Sequence, residues 1–164
     1  MSVVACKINI NGYDIASDSI TVRGYTQTTG GVADGPKLFE VNDVIVGSTG
    51  KAEEVMLLRL FLDTHTFRDS NEQSVLELLS EFSDWKYKKI NNSAVENNYL
   101  LGIGNNVFCV EGWDIQKVTS YMAIGAGQTY ALAALYLGQT AEKAVETAIE
   151  LSIYCAYPIR KLSR

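Results

Sequence analysis

Ser2 and Asp18 are the residues whose types and spacing first suggest chemistry. Ser2 leads the chain once Met1 is removed, and it stands sixteen residues ahead of Asp18 across two alternating segments, residues 3–10 and 13–22. A serine hydroxyl is a weak nucleophile at neutral pH, but an α-amine on the same residue titrates near ~8 and can serve as its base. One residue then supplies both nucleophile and general base, with no need of a distant histidine. The plainer reading is a serine that follows an initiator methionine and does nothing chemical. The rest of the chain decides between them.

The elements that must position these residues begin with strands. Residues 3–10 alternate through Val4, Cys6, Ile8 and Ile10, and Asn11-Gly12 is a tight-turn dipeptide leading into 13–22, which together predict a hairpin. The Gly- and Thr-rich stretch 24–35 is expected to be an ordered surface loop, and 37–48 holds two short strands joined at Asn42-Asp43. From Gly50 the period changes. Val55, Leu58, Phe61 and Leu62 share a helical face with Leu57 beside it, while Glu53 and Glu54 fall in the first turn, where carboxylates suit the helix dipole. A second helix is expected over 71–89, with Val75, Leu76, Leu78, Leu79 and Phe82 as its apolar side.

The second half repeats the scheme. Residues 99–103, 107–113 and 118–124 read as strands, with Gly104-Asn105-Asn106 as a turn. An Ala-rich helix over 128–137 ends at Gly138, and another covers 141–154 with Thr140 as its N-cap. Ala131, Ala133 and Ala134 suit close approach of helices. Strands, two helices, strands and two helices make an α+β architecture of two stacked antiparallel sheets with helix pairs on both outer faces.

Composition sets the bounds. A chain of 164 residues fits one domain, 1–164, with enough length to bury a sizeable core. A net charge of −5 with scattered Lys and Arg gives no basic footprint, so nucleic acid is not an expected partner. Three cysteines, Cys6, Cys109 and Cys155, are an odd number without CxxC spacing, which fits a reducing compartment and neither a disulfide framework nor a zinc site. No signal-peptide pattern and no apolar run near ~18 residues occurs, so a cytoplasmic protein without a membrane span is expected. The one histidine, His65, sits near the end of the first helix, where surface placement or helix capping is its reading. Gly30-Gly31 and Gly125-Ala126-Gly127 lack the strand–turn–helix context of a nucleotide fingerprint, and no cofactor is expected.

Two long segments, 37–54 (KLFEVNDVIVGSTGKAEE) and 121–159 (YMAIGAGQTYALAALYLGQTAEKAVETAIELSIYCAYPI), resemble the proteasome β-subunit family, most closely its bacterial HslV branch. The likeness runs over nearly the whole chain. It implies a four-layer αββα sandwich of the N-terminal nucleophile hydrolases and a peptidase whose first mature residue attacks the peptide carbonyl. Carried over by position, Ser2 matches the nucleophile, Asp18 the acidic residue at the end of the second strand, Lys37 the active-site lysine, and Gly50 the glycine whose N–H faces the oxyanion. Ser48 and Ala52 match positions lining the specificity pocket, and their small size implies a roomy one. The family further implies a homo-oligomeric ring or double ring, unfolded polypeptide as substrate, and a separate AAA-type ATPase unfoldase that would use the ATP.

The chain departs from the family pattern at specific residues. The usual threonine nucleophile is here Ser2, which keeps the oxygen and loses the methyl that restricts the rotamer. Ala126 stands where the family has a serine whose hydroxyl joins the network around the nucleophile. The stretch between Asp18 and Lys37 also differs in length and composition. Ala126, together with a Met1 that would block the α-amine if retained, supports an alternative: a subunit of the same fold that assembles without cleaving. An amidase acting on a small molecule is a third reading, disfavoured by the short chain.

Overall fold

The computed structural model describes residues 2–28 and 37–164, with the backbone alone at residues 23 and 28. Two antiparallel sheets carry the architecture. The first has the order β10-β1-β2-β11, from β1 (Val4–Asn9), β2 (Gly12–Ser17), β10 (Tyr121–Ile124) and β11 (Arg160–Ser163). The second runs β5-β6-β7-β8-β9, from β5 (Leu38–Val41), β6 (Val44–Thr49), β7 (Asn98–Ile103), β8 (Asn106–Glu111) and β9 (Asp114–Val118). A small ribbon pairs β3 (Thr21–Arg23) with β4 (Thr26–Thr28).

Strand alternation sorts side chains into three cores, and the cores define four layers. Val4, Cys6 and Ile15 of the first sheet meet Leu38, Ile45 and Leu100 of the second, forming the seam between the sheets. The intervening residues face outward. Val3, Ala5 and Ala16 pack under α3 (Gln128–Tyr136) and α4 (Ala141–Leu151), which meet them through Ala131, Ala144 and Ala148. Val46, Tyr99 and Phe108 pack under α1 (Ala52–Leu62) and α2 (Glu72–Ile90), which supply Leu58, Phe61, Leu79 and Phe82. The result is the expected αββα sandwich. The two helix layers differ in chemistry: small alanines let α3 and α4 approach the first sheet closely, whereas the second sheet is covered by large side chains, each stabilising by about 1.5–3 kcal/mol when fully buried.

Local signals set the element ends. Asn42 and Asp43 have φ of 47° and 62°, the left-handed pair of a tight hairpin turn, and they join β5 to β6 as expected. Asn71 caps α2 by accepting from the Ser74 N–H at 2.8 Å, and Thr140 caps α4 by accepting from Lys143 N–H at 3.1 Å. Among the described residues no helix is long and apolar enough to cross a membrane.

Several expectations are corrected. The strand expected over 13–22 is two, because Asp18–Ile20 leaves the ladder to serve the Asp18 carboxylate, and β3 belongs to another ribbon. Of the loop expected over 24–35, residues 26–28 form β4, and 29–35 lie outside the described residues. The single strand expected over 118–124 is the end of β9 and all of β10, which belong to different sheets; residues 119 and 120 are the crossing between them. The strand expected over 107–113 ends at Glu111, where Gly112 turns with φ of 61°. The last helix stops at Leu151, and β11, absent from the expected elements, pairs with β2. Leu76 and Ala133 are exposed.

Glu54 stands in the first turn of α1 as expected, and it is buried there, paired with the equally buried Lys86 of α2 at 2.5 Å. Its carboxylate also accepts from the Asn97 N–H at 2.9 Å, the Glu96 N–H at 3.1 Å and the Tyr99 hydroxyl at 2.8 Å. Lys86 donates in addition to the Ala94 carbonyl. Burial, then the Glu54 charge, pushes the Tyr99 phenol well above its usual range, so it remains a donor.

Lys86→Met is expected to lower stability by about 3–5 kcal/mol, since it leaves Glu54 buried and uncompensated, and adding Glu54→Gln should recover much of the loss. Urea unfolding measures both; a loss under about 1 kcal/mol for Lys86→Met would refute the account. The three thiols give a second expectation. Burial pushes Cys6 up to about 12 and Cys109 and Cys155 up to about 11, all from 9.0. Their neutral form is favoured in the fold, so the associated stability is present below about pH 9 and fades as pH rises through 11–12. At pH 8 iodoacetamide should label the native thiols about 100-fold or more slowly than those of the urea-unfolded chain, read by intact mass. Equal rates would show that the thiols are reachable.

Candidate functional site

The start of the chain is fixed by its backbone. Ser2 is buried, and its carbonyl accepts from the Gly127 N–H at 3.1 Å. Gly125 takes φ of 96°, and a Cβ there would lie 2.5 Å from the Ser2 oxygen and 2.8 Å from Thr49 Cγ2. Only a glycine lets the turn before α3 press this closely on Ser2. Ala126, between them, is exposed and offers no hydroxyl.

Asp18 lies at the end of β2, 1% exposed, and both its oxygens are doubly engaged. Oδ1 accepts from the Val3 N–H and from Lys37 Nζ, each at 2.9 Å. Oδ2 accepts from the Ile20 N–H at 3.1 Å and the Ala156 N–H at 3.2 Å. The Asp18 N–H in turn donates to the Val3 carbonyl at 3.2 Å. Such an array suits an ionised carboxylate, since every donor meets a charge-assisted acceptor. Lys37 is placed by the edge of the second sheet: its carbonyl accepts from the Ser48 N–H at 2.7 Å, just before β5 begins. Its side chain crosses from that sheet to Asp18 on the first, and is 15% exposed.

Gly50 forms the turn between β6 and α1 with φ of 130°. A side chain there is excluded, since its Cβ would collide with Asn97 Oδ1 and lie 2.7 Å from Asn97 Cγ. The Asn97 side chain brackets the next peptide, accepting from the Lys51 N–H at 2.6 Å and donating through Nδ2 to the Lys51 carbonyl at 2.9 Å.

A cleft of about 390 Å³ opens between these parts. Ser2, Lys37, Ser48, Gly50 and Ala52 line it. Ile20, Val22 and Val55 give it an apolar wall, and Lys51 and Glu53 add charge. Of the six residues nominated by the sequence, five therefore share one cleft, and Asp18 stands behind it, bonded to Lys37. Hydroxyl, ammonium and a glycine turn in one concave site are the parts that an acyl transfer requires. His65 lies elsewhere: it stacks on Phe61 at 3.9 Å, and its Nδ1 hydrogen-bonds the Phe61 carbonyl at the end of α1. Among the described residues no cluster of His, Cys, Asp and Glu could hold a metal ion.

Sequence reasoning missed Asn97 and the Ala156 N–H. Asn97 lies in the polar run between α2 and β7, where no periodicity marks a buried residue. Its one legible signal is its distance ahead of a strand that leaves from beside Gly50. The Ala156 amide carries no side-chain signal at all.

No protein-family model and no curated protein matches the chain. Solved structures do. BPH from Thiobacillus denitrificans, in complex with epoxomicin, aligns with a TM-score of 0.86 at 20% identity, over 99% of this chain and 97% of that one. Anbu, the ancestral beta-subunit, from Yersinia bercovieri aligns with a TM-score of 0.72 at 16% identity, over 99% of this chain and 81% of that one. Eukaryotic HslV from Trypanosoma brucei gives 0.72 at 15% identity, over 98% of each chain. The layered arrangement around the Ser2 cleft is thus the fold of the proteasome-type N-terminal nucleophile hydrolases.

Proposed function

We propose that this chain is a proteasome-type peptidase subunit in which Ser2, freed by removal of Met1, is the nucleophile. The observation that carries the reading is the cleft shared by Ser2, Lys37 and Gly50, with Lys37 held on the buried Asp18 at 2.9 Å. The Ser2 α-amine takes the proton of its own hydroxyl as Oγ attacks the peptide carbonyl. The Gly50 N–H stabilises the tetrahedral oxyanion, a type of contact worth about 3–4 kcal/mol in comparable sites. The protonated amine then gives its proton to the departing nitrogen as the C–N bond breaks, leaving an ester on Ser2 that water hydrolyses by the reverse use of the same base.

Lys37 and Asp18 act on this cycle electrostatically. A positive charge beside the α-amine disfavours its protonated form and keeps it a base at neutral pH. The Asp18 charge keeps the ammonium tolerable in a largely buried site. Ser48 and Ala52 leave room for a substrate side chain, and Ile20, Val22 and Val55 favour an apolar one. By its resemblance to the proteasome β-subunit family, the subunit would form a closed homo-oligomeric ring in the cytoplasm, cleave unfolded polypeptide, and receive it from a separate AAA-type ATPase. No cofactor takes part in the cycle.

Ala126 favours a second reading, in which the assembly forms but does not cleave. It removes a hydroxyl that the family places beside the nucleophile, and its side chain is exposed, so only water could replace that group. Intact mass of the purified protein followed by fluorogenic peptide hydrolysis separates the readings. A chain beginning at Ser2 that cleaves peptide, with activity lowered at least about 10³-fold in Ser2→Ala, supports the peptidase. A retained Met1, or activity that survives Ser2→Ala, overturns it.

A further inference from the structure

We infer that Asn97 is a positioning residue for the Gly50 turn, and that the buried Glu54–Lys86 pair is the anchor that holds Asn97 in place. The inference rests on the peptidase reading, in which Gly50 supplies the oxyanion donor. It adds residues to the site that neither the cleft lining nor the sequence pattern includes.

Three observations build it. First, Asn97 is buried and its amide engages both ends of residue 51, the Lys51 N–H at 2.6 Å and the Lys51 carbonyl at 2.9 Å. A carboxamide is the side-chain group that both donates and accepts in one plane, so it grips a peptide as another strand would. Second, Gly50 has φ of 130° and cannot carry a Cβ without colliding with Asn97 Oδ1. The unusual backbone angle and the asparagine therefore fit together: relaxing one requires moving the other. Third, Asn97 has little freedom of its own. Its N–H donates to Glu54 Oε1 at 2.9 Å, and the preceding Glu96 N–H donates to the same carboxylate. Lys86 neutralises that carboxylate at 2.5 Å.

The chain of contacts runs from α2 through Lys86, to α1 through Glu54, to the residue before β7, and into the cleft at Gly50. The links from Lys86 to Glu54 and from Glu54 to the Asn97 N–H are buried and those from Asn97 to Lys51 are part-buried, so a misplaced inner donor is poorly replaced by water. A donor is useful to an oxyanion only if it is aimed before the charge develops, and a shift of about 1 Å in a positioned group can lower a rate about 10²-fold. Asn97 touches neither substrate nor reacting atoms, so its effect falls on kcat.

The test uses the full chain with Asn97→Ala, Asn97→Asp and Glu54→Gln, each followed by peptide hydrolysis, thermal unfolding and a crystal structure. Asn97→Ala is expected to lower kcat about 10–100-fold with KM within about twofold, and to let Gly50 leave its φ near 130°. Asn97→Asp keeps the acceptor for Lys51 N–H and should recover part of kcat. Glu54→Gln keeps an acceptor for the Asn97 N–H and should fall between wild type and Asn97→Ala. A kcat within threefold of wild type for Asn97→Ala, or a loss confined to KM, overturns the inference. Should Asn97→Ala fail to fold, Asn97→Asp and Glu54→Gln carry the decision: full wild-type kcat in both overturns the inference, and a graded loss supports it. A wild type that cleaves no peptide sinks the peptidase reading instead. The Gly50 geometry then decides: an unchanged turn in Asn97→Ala overturns the positioning role, and a displaced one supports it.

Discussion

A buried carboxylate with no water around it must be matched by donors, and the Asp18 carboxylate is matched by groups from distant parts of the chain. Val3 comes from its beginning, Ile20 from just beyond β2, Lys37 from the start of the second sheet, and Ala156 from the segment leading to β11. None of these donors is near another in sequence except through the fold. The charge can be satisfied only when the first strand, the hairpin, the edge of the second sheet and the carboxyl-terminal tail have all arrived. Folding and assembly of the cleft are therefore one event. The sheet order β10-β1-β2-β11 follows the same logic, since β11 must lie beside β2 for the Ala156 amide to reach Oδ2.

Glu54 is a second buried carboxylate, and it is handled in the same way. Each takes a lysine and several backbone amides: Lys37 with Asp18, Lys86 with Glu54. The two differ in exposure. The Lys37 side chain is partly exposed and lines the cleft, while that of Lys86 is sealed. A buried pair of this kind contributes little net stability over an apolar replacement, but losing one member is strongly destabilising. In the inferred positioning chain its role is to specify one arrangement, that of the Gly50 turn.

What the sequence revealed follows from where each signal is local. The turn at Asn42-Asp43 and the cap Thr140 depend on a few adjacent residues and stand where their chemistry predicts, whereas the hairpin expected at Asn11-Gly12 turns one residue earlier, with Asn9 paired to Gly12 across Ile10-Asn11. The layered order was legible because alternation and helical periodicity are local too. Failures came where tertiary contacts decide. A β-like run from Tyr13 to Val22 gives no hint that Asp18 interrupts it, because the donors from Val3, Lys37 and Ala156 come from elsewhere. The change of sheet between β9 and β10 leaves no mark at residues 119 and 120. Nothing in its own helix announces that Glu54 is buried against Lys86, thirty-two positions on. The site residues Ser2, Asp18, Lys37 and Gly50 were found by resemblance to a family pattern; spacing alone would have nominated Ser2 and Asp18.

Substitution of serine for the family's threonine can be weighed against this framework. The threonine methyl restricts χ1 by crowding. At Ser2 the crowding comes from outside the residue: its carbonyl is held by Gly127, the next amide by Asp18, and Gly125 packs so close that a Cβ there would lie 2.5 Å from the Ser2 carbonyl oxygen. These contacts fix the peptide that follows the Ser2 Cα, and the residue is only 3% exposed. In the proposed cycle the loss of a methyl therefore relaxes the side-chain torsion of Ser2 while the peptide that follows it stays held. Ala126 acts differently, because it removes a polar group and not a constraint. The first change bears on how often the hydroxyl is aimed, the second on what receives its proton, and in the proposed cycle the α-amine already fills that second role.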